Sequence, residues 1–162
     1  MTTKAETGEE YTNSAAENTA IIRRLIAGYN SRDMDVLEKL VAPNYYDHLF
    51  QQRGRDKFKV IFTMTFERFP DWYEAIQDIS AEEDEVWAWI KAKGTHTNEW
   101  NLFGVSVPPT GNKIDMNMVF IWRLADGILV EGWKVDDNLE ILKQLGVVDY
   151  TEHGREFMAV FK

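Results

Sequence analysis

The sequence predicts an α+β fold in which three helices precede a curved, mainly antiparallel sheet. The first observation is a change of hydrophobic period, from helical spacing over residues 14–68 to strand alternation from Trp72 onward. The second is the pair Asp126-Gly127 between two β-rich runs, a strong signal for a hairpin. The third is a short helical pattern directly after that hairpin. Together they predict helices packed on one face of a sheet, with a short C-terminal helix.

Three amphipathic helices are predicted before the sheet. The capping-box pattern at Ser14 begins the first helix, which ends near Asn30. A second, short helix is stopped by Pro43. Gly54 precedes the third helix, over residues 55–68, whose apolar face is rich in phenylalanine. All three are interpreted as builders of the core.

Composition limits the classes of partner. The 162 residues are most economically one domain, expected over residues 14–148, with a disordered leader at 1–13 and a tail at 149–162. A net charge of −9 without Lys/Arg clusters argues against nucleic acid and membrane partners. The absence of cysteine excludes disulfides and thiolate catalysis. Without an apolar run of membrane-spanning length or a signal segment, we expect a cytoplasmic protein that binds a small molecule.

Strand alternation is predicted over residues 72–79 and 86–97, with an acidic turn between them. In the second strand small and apolar residues alternate on one side and end at His96. The space in front of His96 accommodates either a ligand or a crossing helix. Three dispersed histidines without HxH or HxxxH pairing provide no metal-ligand spacing, so no metal is expected.

The turn at Asp126-Gly127 predicts the register of its hairpin. In a type I′ turn with these two central residues, Phe120 opposes Trp133 and Met116 opposes Asp137. Opposed residues share a face of the sheet. The core-facing residues are then Met116, Met118, Phe120, Trp122, Leu124, Leu129, Trp133 and Val135.

The same register places Asp137, and Glu131 nearer the turn, on the apolar face. A carboxylate in apolar surroundings has the condition of a general acid or base. Alternatively, Asp137 only caps the helix that begins at Asn138. A register slip by one residue would turn Lys134 and Asp136 inward, and we expect the cost of burying lysine to disfavour it.

Several short motifs occur in order along residues 18–148. They are Tyr46-Asp47-His48, Phe69-Pro70-Asp71, Gly94-Thr95-His96-Thr97, Pro109-Thr110-Gly111-Asn112-Lys113, the run from Asp126 to Trp133, Asp137, and Gln144-Leu145-Gly146. This ordered set resembles the SnoaL-like polyketide cyclase, or ester cyclase, group of the NTF2-like superfamily.

The resemblance implies a cone-shaped, usually dimeric domain whose apolar pocket hosts cofactor-free acid/base chemistry. In these cyclases an aspartate after the Glu-x-Trp strand is the acid/base for an intramolecular aldol ring closure on a polyketide ester. Its spacing to Gln144-Leu145-Gly146 implies that this residue is Asp137 here. His48 and His96 match histidines common in the group and are carried over as catalytic candidates.

The expected pocket is aromatic and rich in methionine. Gly132 and Asn98 depart from the His and Gly that related sequences often carry, and Trp100 and Phe103 add aromatic bulk, so we expect a different substrate shape. The predicted substrate-binding residues are Tyr46, Trp100, Phe103, Met116, Met118, Phe120 and Trp133.

Three functions fit these residues. In the first, Asp137 removes an α-proton from a carbonyl-bearing, polyketide-like or polycyclic molecule, and His96, His48 or a tyrosine stabilises the enolate during cyclisation or isomerisation. The second is an epoxide hydrolase using Asp137, Glu131 and Arg123, although the predicted register puts Arg123 on the opposite face. The third is a non-catalytic module for small-molecule binding or dimerisation, because fold alone does not establish catalysis.

Overall fold

The computed structural model describes residues 14–102 and 105–160, without the side chain of Leu102. Within these residues the helices are α1 (Ala15–Asn30), α2 (Asp35–Leu40), α3 (Arg55–Arg68), α4 (Asn138–Gln144) and α5 (Glu152–Ala159). The strands are β1 (Val41–Asp47), β2 (Gln52–Arg53), β3 (Tyr73–Glu82), β4 (Glu85–Thr95), β5 (Trp100–Leu102), β6 (Val105–Val107), β7 (Lys113–Ala125) and β8 (Ile128–Asp136). The predicted leader and Phe103 lie outside the described residues.

The main sheet has the strand order β2-β1-β8-β7-β4-β3 and is antiparallel except where β1 runs parallel to β8. Strands β5 and β6 form a separate small hairpin. Helices α1 and α2 and residues of α3 and α4 join the core on one face of the main sheet. The α+β architecture predicted from the sequence is therefore confirmed.

The inner face of the sheet follows the predicted alternation in β4. Val86, Ala88, Ile90 and Ala92 are at most 2% exposed, while Trp87 and Trp89 on the other side are nearly half exposed. From α1, Ile22, Leu25, Ile26 and Tyr29 pack onto this inner face. The small side chains in β4 let the helices approach closely.

The helix predictions are confirmed, and strands β1, β2, β5 and β6 were not among the predicted strands. Ser14 forms both hydrogen bonds of a capping box with Glu17. Helix α2 ends at Leu40, before Pro43, and Pro43 lies inside β1. The pairing of β1 with β8 is irregular between Val41 and Tyr46, so the missing N–H of proline is tolerated there.

The turn of the long hairpin is as predicted, but the register beyond it is wrong. Asp126 and Gly127 have φ of 50° and 74°, as a type I′ turn requires, and Leu124 pairs with Leu129. The next pair is Arg123 with Glu131, so Val130 is an unpaired bulge residue. Every residue of β8 after Val130 therefore faces the side opposite to the one predicted.

The bulge exchanges the inner and outer residues of β8. Phe120 pairs with Lys134 and Met118 with Asp136, which turns Lys134 and Asp136 inward. Trp133 and Val135 consequently lie on the outer face, and Val135 is 68% exposed. The register slip that lysine burial was expected to disfavour is the one that the chain adopts.

Two further findings concern the C-terminal tail and the length of the helices. The tail, weakly patterned in sequence, contains α5, with Thr151 as its N-cap. No helix in the described part of the chain is long and apolar enough to cross a membrane.

Candidate active site

The inner end of β8 holds a partly buried ion pair, in which the Lys134 side chain is 27% exposed. The Lys134 ammonium lies 3.0 Å from Asp136 Oδ2, and the Asp136 side chain is only 9% exposed. Asp136 Oδ1 is buried and has no hydrogen-bond partner among the described residues. Lys134 Nζ also lies 5.3 Å from the centre of the Phe120 ring. A carboxylate with a free oxygen and an adjacent cation can accept a proton and stabilise a nearby negative charge.

A second buried carboxyl group, Glu74, faces this pair from β3. Glu74 is 6% exposed, and the Trp72 indole N–H donates to its Oε1 at 3.0 Å. Burial raises the pKa of Glu74 to about 7, while Lys134 and the Trp72 N–H act to lower it and Asp136 acts to raise it. The interior thus combines two carboxyl groups with one ammonium.

His96 is fully buried where β4 ends. The backbone N–H of Thr110 donates to His96 Nδ1 at 3.3 Å, so the neutral imidazole carries its proton on Nε2. Nε2 is buried without a hydrogen-bond partner among the described residues. Burial lowers the pKa of His96, with the Asn98 backbone acting in the opposite direction. His96 therefore presents an N–H donor that a ligand carbonyl could occupy.

Aromatic side chains surround His96 and adjoin an open groove. The ring centres of Phe69 and Trp100 lie 5.3 and 6.3 Å from that of His96. The Arg68 guanidinium lies 5.7 Å from the Trp100 ring. The groove has a volume of about 550 Å³, and its lining residues are Met64, Glu67, Arg68, Asn98, Glu99 and Asn101.

His96 and Asp136 are well separated along the sheet. In register, Asp136 pairs with Met118 and Met118 with Ile90, whereas His96 follows six residues after Ile90. Six residues of strand span roughly 20 Å. The two groups therefore cannot act on one carbonyl, and Glu74, which pairs with Ala92, lies between their levels.

The predicted pocket residues divide between the two faces of the sheet. Met116 and Met118 are buried on the inner face, and Phe120 stacks there on Trp122 at 4.8 Å. Trp100 contacts the His96 cluster. The inner-face placement of Met116, Met118 and Phe120 agrees with the expectation, and Trp100 packs against the core from the separate β5–β6 hairpin.

Tyr46, His48 and Trp133 lie on the outer face instead, which corrects their expected placement in the pocket. His48 stacks on Trp133 at 4.0 Å and meets the Tyr46 ring edge-on. His48 Nε2 lies 2.8 Å from Glu131 Oε2, and this hydrogen bond is the main cause of a lowered pKa of Glu131. The physical reason is the Val130 bulge, which turns Glu131 and Trp133 outward.

Asp137 is exposed and caps α4, which corrects its expected place on the apolar face. Its Oδ1 accepts the Glu140 backbone N–H at 3.0 Å. The trio considered for epoxide hydrolysis is also not assembled inside the cone: Arg123 contacts Glu131 and Glu85 on the outer face. The catalytic role of Asp137 stays a prediction from the resemblance.

Sequence reasoning considered Lys134 and Asp136 as interior residues only in the disfavoured register, and it did not consider Glu74. Strand parity in β3 could have identified Glu74, because it lies two residues after Trp72 and two before Ile76 and so shares their side of the strand. For Lys134 and Asp136 the only signal was their spacing, two residues apart with opposite charge. That signal could be used only with knowledge of the bulge.

Comparisons with known proteins agree with this architecture. Residues 19–145 match the model of the SnoaL-like polyketide cyclase family. The chain is 27% identical over 136 residues to the aklanonic acid methyl ester cyclase of Streptomyces sp. (strain C5), covering 78% of this chain and 80% of that protein.

Solved structures are similar over most of the chain. IdmH of Streptomyces antibioticus, described as a candidate polyketide cyclase, is 32% identical with a TM-score of 0.70, over 80% of this chain and 98% of that one. AclR of Streptomyces galilaeus, described as a candidate hydroxylase, is 28% identical with a TM-score of 0.72, over 84% of this chain and 100% of that one. The chain therefore belongs to the SnoaL-like polyketide cyclase family, with the NTF2-like fold, and is an enzyme of the cyclase type.

Proposed function

We propose that this enzyme catalyses an intramolecular aldol ring closure on a carbonyl-bearing, polyketide-like small molecule, by acid/base chemistry without a cofactor. The observation that carries the proposal is the partly buried Lys134–Asp136 pair, in which one carboxylate oxygen has no hydrogen-bond partner among the described residues. Asp136 removes the proton next to a carbonyl, and the Lys134 ammonium stabilises the enolate oxygen. The enolate carbon then attacks a second carbonyl of the same molecule.

Binding is proposed to extend from the groove at Arg68 past His96 to Asp136. The His96 Nε2–H, which lacks a partner among the described residues, donates to a distant oxygen of the substrate rather than to the reacting one. Phe69, Trp100 and Phe120 supply flat apolar contacts of the kind that hold polycyclic molecules. A double-bond isomerisation would use the same enolate and differs only in where the proton returns.

The test compares wild type, Asp136→Asn and Asp137→Asn on aklanonic acid methyl ester, the compound that names the relative. Asp136→Asn should lower kcat by about 10²- to 10⁴-fold, because a general base is lost. Asp137→Asn should leave kcat within a few-fold, because that side chain caps α4. Product structure by NMR distinguishes ring closure from isomerisation.

Two outcomes would contradict the proposal. Near-normal turnover by Asp136→Asn together with an inactive Asp137→Asn would return the base to Asp137. A reaction of the dialysed enzyme that stops in EDTA and resumes with an added metal would contradict cofactor-free chemistry.

We also propose a homodimer formed through the outer face of the sheet. Trp87, Trp89, Val119 and Val135 are 40–68% exposed on three adjacent strands, β4, β7 and β8. Contiguous apolar surface of this kind is typical of interfaces. A second copy of the chain is the favoured occupant because the same self-complementary patch can pack on itself about a two-fold axis.

A further inference from the structure

Glu74 is held in one place on the inner face at the start of β3. Asn30 of α1 fixes its backbone twice: the Asn30 amide donates to Glu74 O at 2.7 Å, and the Glu74 N–H donates to Asn30 Oδ1 at 2.9 Å. The Trp72 indole fixes the side chain through Oε1. No other side chain in the described part of the protein hydrogen bonds to this carboxyl group. The carboxyl group is therefore held by a hydrogen bond to one oxygen only.

The charges around Glu74 favour a retained proton. Lys134 and Asp136 face it from β8, and Lys134 is already paired with Asp136 at 3.0 Å. Two ionised carboxylates and one ammonium would leave an uncompensated negative charge in the interior, which is costly. A proton on Glu74 removes that charge, so the interior holds one carboxylate and one carboxylic acid.

An aldol ring closure needs both a carboxylate, which accepts a proton, and a carboxylic acid, which donates one. One proton leaves carbon when the enolate forms, and one proton reaches oxygen when the attacked carbonyl becomes a hydroxyl. Building on the proposed function, we propose that Glu74 is the general acid of this enzyme, delivering its proton to the attacked carbonyl oxygen from β3 while Asp136 acts from β8.

The proton balance closes over one turnover. Asp136 gains the proton from carbon, the C–C bond forms, and Glu74 gives its proton to the new alkoxide oxygen. Glu74 is then ionised and Asp136 protonated. Transfer of one proton from Asp136 to Glu74, through water after product leaves, restores the starting state.

The experiment separates the two proton transfers in Glu74→Gln, using aklanonic acid methyl ester in D₂O. Deuterium entry at the α-carbon above the buffer background reports on Asp136, and ring closure reports on both groups. Glu74→Gln keeps an oxygen acceptor for the Trp72 N–H. We expect exchange within about threefold of wild type and ring closure slowed at least about 10²-fold. Glu82→Gln, which removes an exposed carboxylate from the same strand, is the matched control and should change neither rate.

The outcomes distinguish this proposal from the one on which it rests. Ring closure at the wild-type rate in Glu74→Gln overturns the role of Glu74, even if Asp136→Asn is inactive. Normal exchange and closure in Asp136→Asn overturns the proposed function itself. Equal loss of exchange and closure in Glu74→Gln, with an unchanged melting temperature, also contradicts a role confined to protonating oxygen.

A second measurement does not require turnover. The ionisable groups facing Glu74 are Lys134 and Asp136 from β8 and Tyr29 from α1, and Arg32 donates to the nearby Trp72 carbonyl. In ¹³C-labelled protein, the carboxyl signal absent from Glu74→Gln should titrate near pH 7. Asp136→Asn should move that midpoint down, because a like charge is removed. A midpoint at the ordinary value for glutamate would overturn the proposal.

Discussion

Among single residues, Lys134 explains why the predicted register of β8 is wrong. The expected cost of turning it inward took no account of its partners. Burial of an isolated ammonium is unfavourable, but Lys134 lies 3.0 Å from Asp136 and faces Glu74 across the interior. Asp136 is two residues from Lys134 in the sequence, but Glu74 is sixty residues away, so the sequence alone does not reveal Glu74 as a neighbour. The inward position of His96, by contrast, follows from strand parity alone and was predicted.

The raised pKa of Glu74 predicts a pH-dependent stability difference between wild type and Glu74→Gln. Between pH 4.5, the ordinary pKa of a glutamate, and about pH 7, the folded protein keeps a proton that the unfolded chain has lost, so stability falls as pH rises. The slope is about 1.4 kcal/mol per pH unit, which accumulates to about 3 kcal/mol. Urea unfolding at pH 5 and pH 8 should show Glu74→Gln gaining stability relative to wild type at the higher pH. An offset independent of pH would contradict the burial of a titrating carboxyl group.

Among the secondary-structure elements, those that depend on local sequence signals were predicted correctly, whereas strand pairing between distant segments was not. The capping box of α1 and the type I′ turn depend on neighbours in sequence, and both are confirmed. Strand β1 depends on β8, about ninety residues later, and contains Pro43, so no local pattern identified it. The Val130 bulge likewise lies where β8 pairs with both β7 and β1.

The contact of β1 with β8 gives a prediction at Gly132. A Cβ at Gly132 would overlap the Tyr45 hydroxyl and approach Trp122 Cδ1 to 2.9 Å. Tyr45 thus occupies the space that a side chain at position 132 would need. Gly132→Ala should cost about 1–3 kcal/mol of unfolding free energy.

A double-mutant cycle with Tyr45→Phe tests the cause of that cost. Removing the hydroxyl removes one of the two overlaps, so the double variant should be more stable than the sum of the single changes indicates. Unfolding in urea provides all four free energies. Strict additivity would show that the hydroxyl does not limit this position.

At the scale of the whole molecule, one face of the sheet is covered by helices and the other carries exposed tryptophan and valine. The α+β class and the order of the helices followed from the sequence, because the hydrophobic period distinguishes helices from strands. For the part of β8 after the Val130 bulge, the sequence did not reveal which residues face inward and which face outward. The cytoplasmic location expected from composition stays a prediction.

The proposed dimer predicts a change of mass in Val135→Lys. Val135 is 68% exposed within the apolar patch, so a lysine there should place a charge at the interface and yield a monomer in sedimentation velocity. Leu139→Lys, at a 55% exposed position on α4, is the matched control and should remain dimeric. A wild-type monomer at micromolar concentration would contradict the proposal.

The unpaired residue Val130 decides which side chains of β8 a substrate would meet, and this choice is not visible when sequences alone are aligned. Two relatives with identical residues after this point, one with the bulge and one without, would present opposite sets of side chains to the cavity. A protein of this fold that gained or lost the bulge would therefore present different side chains to the cavity, even if the residues after the bulge stayed the same. Assigning active-site residues by column is safe only where strand pairing has been compared as well.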